Sequence, residues 1–280
     1  MTTAMTPDLA ARPERSERPG RSDLRVTTAR VVKSEWIKFW SLRSTAFTLL
    51  GAVVALVAFG LISASVTSGG GTLEGPAEGV TDPTGISLAG TQLAQLVIGT
   101  LGVLLTAGEY STGLIRSTLA AVPRRLPVLW AKSAVFTGVL LAVGTVAVFG
   151  TFLAGQAILG SDGVSLTDPG VLRAVLGTVV YLTGIGLLGL ALGALLRNTA
   201  GAVTTLFASI WLVPGLMGAV LPDSWNDAIG PYFPSNAGSA FMTVSPDSDL
   251  LSAAAGLAVF AGFLAVMLGL AALRLKRRDA

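Results

Sequence analysis

The chain has 280 residues, 52% of them hydrophobic and 12% charged. A soluble domain carries about 25% charged residues, so half that share together with long apolar runs marks an integral membrane protein. There is no cysteine and no histidine, which excludes disulfides and thiolate metal sites and removes the commonest general base and metal ligand.

Residues 1–24 are rich in Pro, Arg, Glu and Ser and read as a disordered cytoplasmic tail. Residues 25–43 have a different pattern. Val26, Ala29, Val32, Trp36 and Trp40 recur at helical spacing with Ile37 on their flank, while Arg30, Lys33, Ser34 and Lys38 fall mostly opposite. This predicts an amphipathic helix lying in the membrane interface; the alternative is the cytoplasmic end of a long first span. Six spans follow, at about Ser44–Val66, Ile86–Ala107, Ala131–Leu159, Val171–Leu196, Thr199–Leu221 and Leu251–Leu273. Each approaches the ~20 apolar residues that cross a bilayer core. They form one transmembrane domain over 44–273, followed by a basic tail at 274–280. Arg197 and Asn198 alone separate the fourth span from the fifth, which predicts a tight antiparallel pair. Pro214 is expected to kink or break the fifth.

The Lys and Arg asymmetry sets the orientation. With the N-terminus inside, the inner segments hold 18 of the 19 basic residues and the outer loops hold Arg173 alone. Both termini are therefore expected in the cytoplasm. The basic residues flank spans, so they indicate topology and no nucleic-acid partner. The expected fold class is all-α and integral to the membrane: six transmembrane helices, N-in and C-in, after an interfacial helix.

The expected spans hold no Asp, Glu, Lys or Arg in their interiors. Charges there are costly and are retained for function, as in ion-coupled carriers. The chain also has no phosphate-binding loop and no soluble segment large enough for a nucleotide-binding domain. It reads as a membrane subunit driven by a separate motor. In the fourth span, Gly184, Gly186, Gly189 and Gly193 crowd together, which favours a tight helix contact within or between subunits.

The inner loop 108–132 reads GEYSTGLIRSTLAAVPRRLPVLWAK. Ser111 or Thr112 is expected to cap a short helix over 111–122, which Pro123 ends. Leu114, Ile115, Leu119 and Val122 share one flank, while Arg116 lies toward another and Arg125 follows the helix. Such an amphipathic helix is suited to docking into a partner's groove. Glu109 near its start favours the helix dipole, or pairs with Arg116 or with a cation on another helix. The alternative is that these charges simply anchor the second and third spans. The outer segment 222–250 mixes Trp225, Tyr232, Phe233 and Phe241 with prolines and acids; it is expected to be an external cap or to re-enter the membrane.

Three stretches carry a family resemblance: SEWIKFWSLRST before the first span, GEYSTGLIRSTLAAVPRRLPVLWAK, and PYFPSNAGSAF before the sixth. With the six spans they resemble the permease subunits of type 2 ATP-binding cassette exporters, in particular six-span actinobacterial members. The resemblance implies a connecting helix that includes Glu35, Trp36, Lys38 and Trp40. It implies a coupling helix contacted by the ATPase, with Glu109, Tyr110, Thr112, Gly113 and Arg116 as its signature and Leu119, Pro123 and Arg125 in the same loop. A second permease subunit and a pair of cytosolic ATPase subunits would complete a complex in the cell membrane. This chain would be no enzyme and bind no cofactor; ATP and Mg would act on the partner ATPase. The substrate path would lie at the dimer interface, with Thr91, Gln92 and Gln95 of the second span and Thr204, Thr205 and Ser209 of the fifth as candidate polar contacts. Other readings are a membrane-integral interaction or sensor protein and an ion-independent secondary carrier.

Overall fold

The computed structural model describes residues 27–71, 82–121, 126–220, 222–245 and 251–277, with the backbone alone at 116, 119–121 and 223. The expected tail at 1–24, together with Val122, Pro123, Arg125 and the end of the outer segment, lies outside the described residues. All described elements are helices. Six are long and apolar enough to cross a membrane, which makes the chain a multi-pass membrane protein.

Helix α1 (Thr28–Ser41) starts at Thr27, whose hydroxyl accepts the Arg30 N–H at 3.4 Å. It ends at Leu42, which leaves helical geometry with φ −89° and ψ 108° before α2 (Arg43–Ser68) begins. The N-terminal helix is thus separate from the first span. In place of the second span's expected start at Ile86, a short helix, α3 (Pro83–Ser87), comes first. Asp82 caps α3 by accepting the N–H groups of Thr84 and Gly85 at 2.9 Å, and Pro83 occupies the first helical position. The second span proper is α4 (Thr91–Ser111).

Next come α5 (Leu114–Ala121), the 34-residue α6 (Leu126–Leu159) and α7 (Val171–Leu196). The α7 bounds are those expected from sequence. It is the central helix of the bundle, with 78% of its apolar window buried against 11% for the fifth span. Its glycines explain why. A Cβ at Gly189 would strike the Gly99 carbonyl of α4, and one at Gly193 would strike the Thr106 hydroxyl. Gly102 of α4 meets the Gly186 carbonyl in return. The glycine contact is therefore within the chain, between the second and fourth spans.

Arg197 takes a left-handed conformation (φ 55°) and Asn198 caps α8 (Thr199–Phe207) by accepting the Gly201 N–H at 2.9 Å. This gives the expected tight reversal. The fifth span continues through a π-helical turn at Ala208–Leu212 into α9 (Val213–Val220). Pro214 has no N–H for the carbonyl four residues back, so the wide turn sits where the regular ladder would fail. Two short helices follow, α10 (Asp223–Ile229) and α11 (Pro234–Met242), before the last span α12 (Ala253–Arg277). Arg173, at the start of α7, donates to the carbonyls of Phe241, Thr243 and Val244 at 3.4, 3.0 and 2.9 Å. A cation at the C-terminus of α11 satisfies its last carbonyls and complements its dipole.

Candidate functional site

Four charged side chains from three helices meet at the end of the bundle where α1 lies. Glu35 and Lys38 come from α1, Glu109 from the last turn of α4, and Lys132 from the second turn of α6. Their contacts close a ring of alternating sign. Lys38 Nζ lies 2.8 Å from Glu35 Oε1, Glu35 Oε2 lies 2.7 Å from Lys132 Nζ, Lys132 Nζ lies 2.9 Å from Glu109 Oε1, and that same oxygen is 3.3 Å from Lys38 Nζ. Lys38 gives its third proton to the Thr118 hydroxyl of α5 at 3.2 Å. The ring therefore ties the N-terminal helix to the second and third spans and to the short helix between them.

Local sequence explains the placement. Val31, Glu35 and Phe39, spaced four apart, form the inward face of α1. Val31 packs with Val128 and Ala131 of α6, and the Phe39 ring lies 6.3 Å from that of Phe136. Trp36 and Trp40 point away from the bundle, each 48% exposed, with their rings 5.9 Å apart. The expected division of α1 into a tryptophan face and a lysine face thus needs correction. The face turned to the protein carries a carboxylate, and Lys38 reaches back to it.

Three further expectations at this site are corrected. The short helix begins at Leu114 and not at 111, and neither Ser111 nor Thr112 caps it. Both hydroxyls donate back to the Gly108 carbonyl, at 3.0 and 2.8 Å, and close α4. Gly113, at φ +75°, makes the break. Glu109 is consequently at the C-terminus of α4, where the dipole disfavours a carboxylate; the two lysines outweigh that cost. Lys132 is no flanking loop residue: α6 extends back to Leu126, and the Lys132 side chain is 9% exposed.

Glu35 and Lys38 hold their charge because each has groups of the other sign beside it. Burial opposes ionisation of Glu35, but the ammonium groups of Lys132 and Lys38 outweigh it and hold its carboxyl below the usual carboxylate range. Burial likewise opposes the charge on Lys38, and hydrogen bonds and attraction from Glu35 and Glu109 hold its ammonium above the usual lysine range.

Next to the ring, Tyr110 stacks under the Arg197 guanidinium, 4.9 Å from ring centroid to Cζ, and so links the end of α4 to the α7–α8 reversal. On α5, Ile115 is buried and Leu114 is 58% exposed, so the two do not share the single flank expected of them. The Arg116 and Leu119 backbones lie on α5.

The expected substrate-path residues do not gather at one place. Gln95 is buried, accepts the Tyr181 hydroxyl at 2.6 Å and donates to Gln92 at 2.7 Å. Thr91 is buried above them. Thr204 and Thr205 are exposed on the outer surface of α8, with Thr205 bonded to the Gly201 carbonyl at 2.8 Å. Ser209 donates to the Leu206 carbonyl at 2.8 Å. Gly99 of α4 faces Leu206 of α8, next to Thr205 in sequence. Sequence reasoning missed Tyr181, although a phenol inside a span needs a buried partner.

The sequence matches no protein-family model and no curated protein.

Proposed function

We propose that this chain is the transmembrane permease of an ATP-driven exporter, coupled to a separate cytosolic ATPase subunit through α5. The observation that carries this reading is the charged ring. A short helix between two spans is a useful lever if its displacement reaches the spans. Here Thr118 of α5 bonds to Lys38, and Lys38 is paired to Glu109 at the end of the second span. Lys132 joins the third span to the same pair. A push on α5 thus passes into α4, α6 and α1 through charge-assisted contacts and not through a flexible loop.

In this reading the ring end faces the cytoplasm of the cell membrane, α1 lies in the inner interface with Trp36 and Trp40 toward lipid, and ATP and Mg bind the partner ATPase. A second permease subunit completes the path. The test is coupling. The tagged chain should co-purify a soluble ATPase, and Glu109→Gln should leave that assembly intact while ATP hydrolysis no longer drives export. Full export by the Glu109→Gln complex would remove the ring from the mechanism.

A further inference from the structure

A groove of about 510 Å³ opens beside the ring, between α1, α2, α4 and α5. Its size is that of a small-molecule site. One wall is apolar, built from Leu101, Leu104 and Leu105. Leu42, Leu104 and Leu114 at its rim are 52%, 42% and 58% exposed, so the groove opens outward toward the membrane phase.

The polar end of the groove is selective by its chemistry. Ser41, Thr48, Thr112 and Ser117 line it, and each has given its hydroxyl proton to a backbone carbonyl: Lys38, Ser44, Gly108 and Leu114 respectively. Their oxygens are left as acceptors. Glu109 accepts both lysines on Oε1, while among the described residues Oε2 takes no hydrogen bond, and the carboxylate also lines the groove. Among the described residues the one accessible cation there is Lys38, whose side chain is 38% exposed and whose third proton goes to a neutral hydroxyl. The ring itself is neutral, two lysines against two glutamates. A headgroup of net zero charge therefore leaves nothing unpaired in a partly dry site, whereas an anionic or cationic one does.

The geometry points to a membrane phosphatidylethanolamine as the occupant. Its primary ammonium donates to Glu109 Oε2 and the hydroxyl oxygens, its phosphate takes the third Lys38 proton in place of Thr118, and an acyl chain lies on Leu101, Leu104 and Leu105. Phosphatidylcholine has the same charge but no N–H to donate. Phosphatidylglycerol has donors but brings an uncompensated anion. Occupancy would also loosen the Lys38–Thr118 bond and so bias the position of α5.

The full-length chain is reconstituted in nanodiscs of equal parts phosphatidylethanolamine, phosphatidylcholine and phosphatidylglycerol. It is then extracted in mild detergent, and the retained lipid is counted by mass spectrometry. Phosphatidylethanolamine is expected in excess. Glu109→Gln should cut that excess by about tenfold, the effect of one charge-assisted hydrogen bond. Leu104→Trp should empty the groove. Because that variant could misfold, Ser44→Trp at the exposed rim is the second block, with monodispersity checked for both. Equal retention of the three lipids overturns the proposal. So does unchanged phosphatidylethanolamine in a monodisperse blocked variant. None of these readouts involves an ATPase, so loss of the coupling reading and loss of the lipid site are distinguishable.

Discussion

Replacing Lys132 by methionine keeps the length of the side chain and removes the charge that bridges Glu35 and Glu109. The Lys132 contacts are short, 2.7 and 2.9 Å, and the Glu35 side chain is 2% exposed. The ring then has one lysine for two carboxylates, and its net charge falls from zero to one negative. Breaking a buried pair by removing one partner costs about 3–5 kcal/mol. Lys38 remains in place and half-open to solvent, so the lower end applies, about 3 kcal/mol. The pH dependence gives the sharper test. In the wild type the Glu35 carboxyl is held down, so its contribution is full above the unfolded value near pH ~4 and is lost as the pH falls through the lower folded value. In Lys132→Met, burial is opposed by Lys38 alone and the carboxyl rises. The variant should then gain stability as the pH falls from neutral toward ~4, where the wild type is flat or losing. The assay is thermal unfolding of the purified chain in detergent, followed across that pH range. Adding Glu109→Gln to Lys132→Met restores neutrality and should recover most of the loss. A single variant that melts within about 0.5 kcal/mol of the wild type at every pH would refute the reasoning, as would a double variant no better than the single.

Other predictions concern the rest of the ring and the packing around it. Lys38 is held above its usual range, so its stabilising contribution is complete below pH ~10.4 and should fade as the pH rises through the higher folded value, read in the same melts. Gly102→Ala and Gly189→Ala drive a methyl into the facing backbone of α7 and α4, and each should cost about 1–3 kcal/mol, whereas Gly138→Ala and Gly150→Ala, with nothing within 4 Å of the added carbon, should be tolerated. Tyr181→Phe leaves the buried Gln95 carbonyl oxygen without its donor and should cost about 1–3 kcal/mol in the same assay. Arg173→Ala frees the last carbonyls of α11, and hydrogen exchange at 241–244 should rise while α12 stays protected.

The spans were legible because length and apolar content decide them. The fourth was placed to the residue, since Gly170 and Arg197 bound a run that is apolar apart from Arg173 near its start. The glycine spacing signalled close contact but could not name the partner, because any helix with small residues would serve; α4 supplies it through Gly99 and Gly102. The ring was half legible. Glu35 and Lys38 stand three apart, the spacing of a helical ion pair, and Glu109 ends an apolar run. Lys132 was read as the end of the loop at the mouth of the third span, whereas the helix begins six residues earlier at Leu126 and carries Lys132 into the bundle. The burial of Glu35 was also out of reach, since an amphipathic pattern shows two faces and does not say which one meets protein and which one meets lipid. The cap at Ser111 and Thr112 failed for a local reason: both hydroxyls bond back to the Gly108 carbonyl in the last turn of α4.

The claim that this is one half of a two-part machine rests on α5 touching an ATPase. Because the chain has no cysteine, a single Ser111→Cys substitution gives one reactive thiol at the exposed approach to α5, outside the groove, and its crosslinks in native membranes identify what lies against that end of the helix. The account predicts capture of a nucleotide-binding ATPase subunit, with a yield that changes when ATP is added. Capture of lipid or of the chain itself alone, unaltered by ATP, would contradict it.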